Sequence, residues 1–179
     1  MLADKSRDSK NKKGLSAMPK VVLAEAEKGS PMKFVFAKVI HGAEECTVIK
    51  GRHVTDAAIH KKINEELENV IKHEFEPDAT IEVQGAGWLL KEPDEKNIWL
   101  WGRSMFYETP DYGEVKKLLA EAYPDYNIII VNELLSAYPR LRAQFSIIER
   151  QSAAGAYPAK QMAQIKKILA QKPKEEAQT

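Results

Sequence analysis

Residues 32–50 read MKFVFAKVI, HGAEE, CTVIK, and this stretch decides the fold. Phe34, Phe36 and Lys38 alternate with Lys33, Val35, Ala37 and Val39. A period of two belongs to a strand and not to a helix. HGAEE holds a turn, and Cys46–Lys50 returns as the second strand of a hairpin.

Working outward, Ile59, Ile63, Leu67, Val70 and Ile71 recur at helical spacing, and Lys61, Lys62, Glu65, Glu66 and Glu68 cover the other side. Thr55 or Asp56 can cap this helix. Thr80–Gln84 reads as a short strand broken by Gly85-Ala86-Gly87. Trp88–Lys91 and Asn97–Trp101 flank EPDEK as strand, turn and strand. Trp99 and Trp101 then fall on one face, Ile98 and Leu100 on the other. Thr109 or Asp111 opens a second helix with Val115, Leu118, Leu119 and Ala122 as its stripe, closed by Tyr123-Pro124-Asp125-Tyr126. Ile128–Val131 is a continuous apolar run, as in a strand buried on both faces. The order predicts an α/β fold, a single mixed β-sheet of about six strands flanked by two helices, with a helical C-terminal extension.

Four segments follow from this pattern: a disordered basic arm over 1–19, the sheet domain over 20–133, a helical extension over 134–172, and a disordered tail over 173–179. In the extension, Pro158 can begin a helix striped by Met162, Ile165, Ile168 and Leu169. A stripe of about two turns is marginal alone in water. Docking on the chain's own surface is expected, with Lys166 and Lys167 left to solvent.

A content of 44% apolar and 30% charged residues is ordinary for a soluble domain. No apolar run approaches ~20 residues, and the N-terminal residues lack the apolar core of a secretory signal. One cysteine, Cys46, fits a reducing compartment, and the cytoplasm is the expected location. Residues 21–149 carry 15 basic and 22 acidic residues, so the arms are basic and the middle acidic. Neither arm interleaves basic residues with aromatics, which argues against a nucleic-acid partner.

His60 stands near the start of the first helix, at the edge of its stripe. An imidazole there has a pKa suited to general-base work, and amides of an early helical turn favour an anion. After the Asn97–Trp101 strand come Gly102, Arg103 and Ser104, where backbone amides and a hydroxyl can form an anion nest. Lys33 opens a strand and could supply a cation. Cys46 to Arg52 matches the Cys-x5-Arg phosphate loop of cysteine-dependent phosphatases. Thr47, Val48 and Ile49 are β-branched and favour extended backbone, so this match carries no chemistry. The four histidines show no metal-ligand spacing, and no metal or cofactor is expected.

Five stretches together resemble the Janus family of protein histidine phosphatases. They are Met32-Lys-Phe-Val-Phe-Ala-Lys-Val39, Ile59-His-Lys-Lys-Ile63, Val83-Gln-Gly-Ala-Gly87, Trp101-Gly-Arg-Ser-Met105 and Ala122-Tyr-Pro-Asp-Tyr126. The resemblance implies a six-stranded mixed sheet and hydrolysis of phosphohistidine in proteins without metal or cysteine, and a monomer is expected. It implies His60 as general base and Lys33 as the orienting cation. Ser104 would donate to phosphate, with Lys61, Met105 and Phe106 amides completing the cradle and Arg103 beside it. Arg103 stands where the family has a tyrosine, and Phe106 where it has a small residue. Two extra residues lie between Gly51 and His60. These departures bear on substrate choice more than on chemistry. A non-catalytic phosphate-binding adaptor on the same fold is the alternative.

Overall fold

The hairpin arms become two neighbouring interior strands of a six-stranded sheet in the computed structural model, which describes residues 13–24, 30–54, 59–154 and 158–170. β2 (Met32–His41) and β3 (Glu44–His53) pair antiparallel from Met32 opposite His53 to His41 opposite Glu44. β4 (Thr80–Glu92) joins the other side of β2, followed by β5 (Asn97–Trp101) and β6 (Asn127–Ile130). β1 (Val21–Leu23) runs parallel to β3 at one edge, and β6 runs parallel to β5 at the other. The sheet is therefore mixed, as expected.

Strand alternation sorts the core into two faces. Met32, Phe34 and Phe36 point toward α2 (Tyr112–Ala122) and meet Ile98, Leu100, Val115 and Leu119. Val35, Ala37 and Val39 point the other way, against Ile59, Ile63 and Ile71 of α1 (Ile59–Glu74). The register puts Ala86, Trp88, Leu90, Trp99 and Trp101 on this same α1 side. Beyond α1, that side is covered by α3 (Val131–Ala137), α4 (Arg142–Ala153) and α5 (Ala159–Ala170). Leu141, Phe145, Ile148, Met162 and Ile165 close over Leu90, Trp99 and Trp101. The extension is thus docked on its own sheet.

Several expectations need correction. Residues 13–19 are not part of a disordered arm: a 3-10 turn over Leu15–Ala17 buries Leu15 and Met18 against the α1 core. Those two side chains are three apart and share one side of the turn, an apolar pair hidden in a basic stretch. Residues 1–12, the cap candidates Thr55 and Asp56, and the tail over 173–179 lie outside the described residues. Gly85-Ala86-Gly87 does not break a strand. β4 runs through it, with Phe36 opposite Gly85 and Ala37 opposite Val83, so Gln84 forms a bulge. The helical extension begins at Val131, directly after β6, and not at residue 134. Lys166 is not left to solvent. Its Nζ lies 2.7 Å from both Glu92 Oε1 and Glu95 Oε2, and buried Glu92 also accepts from Trp99 Nε1 at 2.8 Å. That cluster ties α5 to the β4–β5 turn.

The glycines serve the return of the 102–111 loop across the sheet. Gly102 turns at φ +73°, a region costly for side chains bearing Cβ. The loop then bonds to β4 through Ala86 N–H donating to Glu108 O at 3.1 Å. Pro110 lies against Gly85, where a Cβ would stand 2.5 Å from Pro110 Cα. At Gly87 a Cβ would stand 2.4 Å from the Tyr112 hydroxyl oxygen. Asp111 caps α2 by accepting from Gly113 N–H and Glu114 N–H.

Two stability measurements follow. Ile165→Ala should lower unfolding free energy by about 2–5 kcal/mol in urea denaturation, as for a truncated core side chain. A loss near zero would mean that α5 is not docked. Gly87→Ala should destabilise by more than about 1 kcal/mol, as overpacking does, and adding Tyr112→Phe should restore part of the loss by removing the clashing oxygen. Strict additivity of the two changes would contradict the contact.

Candidate functional site

His60 sits in the first turn of α1, one residue after the buried Ile59. It is 2% exposed, so its imidazole is packed where solvent stabilises a charge poorly. Its Nε2 lies 3.2 Å from the Gly87 carbonyl oxygen. A carbonyl can only accept, so Nε2 carries the hydrogen. The neutral ring then holds its lone pair on Nδ1. Burial pushes the pKa down to about 4, the Gly87 carbonyl opposes this, and the Lys33 ammonium adds to the lowering. His60 is therefore an uncharged base of fixed tautomer at neutral pH.

Lys33 opens β2 on the same side of the sheet as Val35 and lies opposite Trp88 of β4. Its Nζ is 4.8 Å from the Trp88 ring centre. Trp88 in turn packs on Gly102, where a Cβ would come within 2.9 Å of Trp88 Cδ1. Tyr112 OH donates to the Gly102 carbonyl at 2.7 Å and fills the space beside Gly87. Burial raises the pKa of that phenol well above its ordinary value, so it stays a neutral donor. His60, Gly87, Tyr112, Gly102 and Trp88 thus form a continuous chain of contacts from the helix start to the loop.

Ser104 follows two residues after Gly102 and is buried, with Oγ accepting from Phe106 N–H at 3.0 Å. The Phe106 amide expected in an anion cradle is engaged by this hydroxyl, which keeps its own hydrogen to donate. Arg103, Met105 and Phe106 have exposed side chains, and Met105 at 96% touches almost nothing. They line an open cavity of about 800 Å³ together with Ser104, Tyr107, Glu108, Thr109 and Val83. That groove belongs to the loop and does not include His60 or Lys33 among its walls. Lys61 is exposed, and its ammonium lies 3.9 Å from Glu65, away from the buried site.

Gly87, Trp88 and Tyr112 are contacts of the His60 and Lys33 site that pattern reading did not single out. The two glycines signalled a turn, when their role is to admit a loop and a phenol. Tyr112 carries no sequence signal beyond its place after the Asp111 cap. The Cys-x5-Arg match fails on geometry, because residues 46 to 52 all lie in the extended strand β3. Burial also raises the Cys46 thiol pKa, which disfavours a thiolate. Among the described residues no three His, Cys, Asp or Glu side chains gather as a metal-binding group. None of the described helices is long and apolar enough to cross a membrane.

Comparison with known proteins gives this arrangement a family. The chain matches the model of the Janus/Ocnus family over residues 15–127, which contain β1 to β5, α1, α2 and every site residue above. It is 33% identical over 102 residues to the sex-regulated protein janus-A of Drosophila mauritiana, covering 56% of this chain and 72% of the relative. The same protein of Drosophila simulans is also 33% identical over 102 residues, with the same coverage. That of Drosophila melanogaster is 31% identical over 102 residues, again covering 56% and 72%. By the length of the family match and the identity of these relatives, the chain belongs to the Janus/Ocnus family.

Proposed function

We propose that the protein is a metal-independent phosphohistidine phosphatase, with His60 as general base. One observation carries the reading: a buried histidine, neutral at cellular pH, with Nε2 bound to a carbonyl and Nδ1 left as the basic atom. A histidine packed only for structure has no need of a cation and an anion-suited loop around it. Lys33 supplies the cation, and Ser104 lies on the loop that Gly102 seats against Trp88.

The chemistry asks little of the protein beyond position and charge. In phosphohistidine the P–N bond is weak once the ring is protonated, because a neutral imidazole can leave. Water attacks phosphorus in line with that bond, forming P–O while P–N breaks and its electron pair returns to the substrate ring. His60 Nδ1 takes the proton of the attacking water and later releases it to solvent. Lys33 and the Ser104 hydroxyl hold the equatorial oxygens, where charge is spread in a loose transition state. A phosphate beside His60 raises its pKa from the low free value, bringing the base closer to its task. The backbone amide of Lys61 in the first turn of α1, those of Met105 and Phe106 in the loop, and the Arg103 side chain belong to the same proposed binding surface. The Phe106 amide can serve there once Ser104 turns from it to the phosphate.

The substrates would be proteins carrying phosphohistidine, met by a monomer in the cytoplasm, where the lone Cys46 stays reduced. The adaptor reading predicts binding of the same phosphoproteins without phosphate release. Release of inorganic phosphate from a phosphohistidine peptide, with chelator present and spontaneous loss subtracted, decides between them. Multiple turnovers support the phosphatase, and tight binding without release overturns it.

Two further results are expected from that assay. His60→Ala should remain folded and lose at least about 100-fold in kcat. The wild-type kcat/KM should hold from neutral pH down past 6 and fall only toward pH 4, because the free base protonates there. An acid limb centred near 6.5 that the ionisation of the free peptide, titrated separately, does not account for would mean that a solvent-exposed histidine is the base. Lys33→Ala and Ser104→Ala should each cost roughly 1–3 kcal/mol in kcat/KM, the scale of a lost charged hydrogen bond. Unchanged kinetics in both variants would mean that the phosphate is held elsewhere.

A further inference from the structure

Trp88 neither bears a proton for the reaction nor lines the loop cavity, yet three parts of the site rest on it. On one side its ring faces the Lys33 ammonium at 4.8 Å. Gly102, the hinge of the loop that carries Ser104, sits against its edge. On the other side it stacks on Trp101, with ring centres 6.1 Å apart and planes 9° from parallel. Trp101 is 2% exposed and lies under Leu141, Phe145 and Ile148 of the C-terminal layer. Its indole Nε1 has no hydrogen-bond partner among the described residues, so packing alone fixes that ring.

A lysine on four flexible carbons gains little by pointing at a site unless something holds it there. A tryptophan face attracts an ammonium without itself accepting a conventional N–H hydrogen bond. Since the face is itself clamped by Trp101, its position depends on the helices that cover Trp101. Those helices start at Val131, beyond the family-matched residues 15–127. The support of that face therefore lies outside the family-matched residues.

We propose that Trp88 is a positioning residue that holds the Lys33 ammonium at the phosphate site, and that the Trp101 stack makes the C-terminal helices the support of that hold. The kinetic consequence rests on the phosphatase reading; the position of Lys33 does not.

NMR of the full chain tests the position first. In the wild type, the Lys33 side-chain methylene protons nearest the ammonium should be displaced upfield by the indole ring current. Random-coil values there would overturn the proposal, whatever the variants do. Trp88→Leu should abolish the displacement and raise the His60 titration midpoint, because the ammonium leaves. Trp88→Phe should keep most of both, and Leu141→Ala, remote from Lys33, should move the Lys33 signals part of the way. Unmoved Lys33 signals in folded Trp88→Leu would show that other neighbours hold the lysine. Unmoved signals in folded Leu141→Ala would overturn the part given to the C-terminal helices. In the peptide assay, Trp88→Leu should lose about 3- to 30-fold in kcat/KM, the scale of a cation–π contact, with Phe restoring most of it. Equal kinetics for the Leu variant and wild type would overturn the positioning role. A wild type without turnover would overturn the phosphatase reading, and the NMR results would still decide the position of Lys33.

Discussion

The Gly87 carbonyl accepting from His60 Nε2 at 3.2 Å is the constraint on which the site depends. It fixes which nitrogen of the imidazole is basic and holds the start of α1 against the centre of the sheet. The same residue must lack a side chain, because the Tyr112 hydroxyl occupies the place where a Cβ would stand. One glycine thus joins the helix that brings the base to the loop that brings Ser104. The bulge at Gln84 lies just before it in β4, and such irregularities re-aim a strand where regular pairing would not suit the site.

The two faces of the sheet divide the work. The α2 face is a plain apolar core of phenylalanine, leucine and isoleucine side chains. The opposite face carries two separate helical covers, α1 over β2 and β3 and the C-terminal layer over β4 and β5. Lys33 and Trp88 lie between these covers, on the same face as both. Apolar packing on either flank lowers the local dielectric and makes a fixed cation more effective toward an anion than it would be in open solvent. The price falls on His60, whose charged form is disfavoured by burial and by Lys33 together.

Much of the fold was legible because its signals are local. The period of two in 32–40 gave β2, and the spacing of Ile59, Ile63, Leu67 and Ile71 gave α1. Trp99 and Trp101 against Ile98 and Leu100 gave the two faces of β5. His60, Lys33 and Ser104 were named from chemistry and resemblance. What was hidden is tertiary. Leu15 and Met18 are two apolar residues in a basic arm, and only the α1 core explains their burial. Val21–Leu23 is too short to signal a strand without β3 beside it. Gly85 and Gly87 read as punctuation, because the residues that need their space, Pro110 and Tyr112, are some 25 positions away. Lys166 read as a solvated charge because its partners, Glu92 and Glu95, belong to a distant turn.

Nitrogen-15 chemical shifts of the His60 ring, followed through an acid titration, test the neutral-base arrangement most directly. A pyrrole-type shift at Nε2, a pyridine-type shift at Nδ1 and a midpoint near 4 are the predicted result. A protonated Nδ1 at neutral pH, or a midpoint at or above the ordinary value of about 6.5, would contradict it.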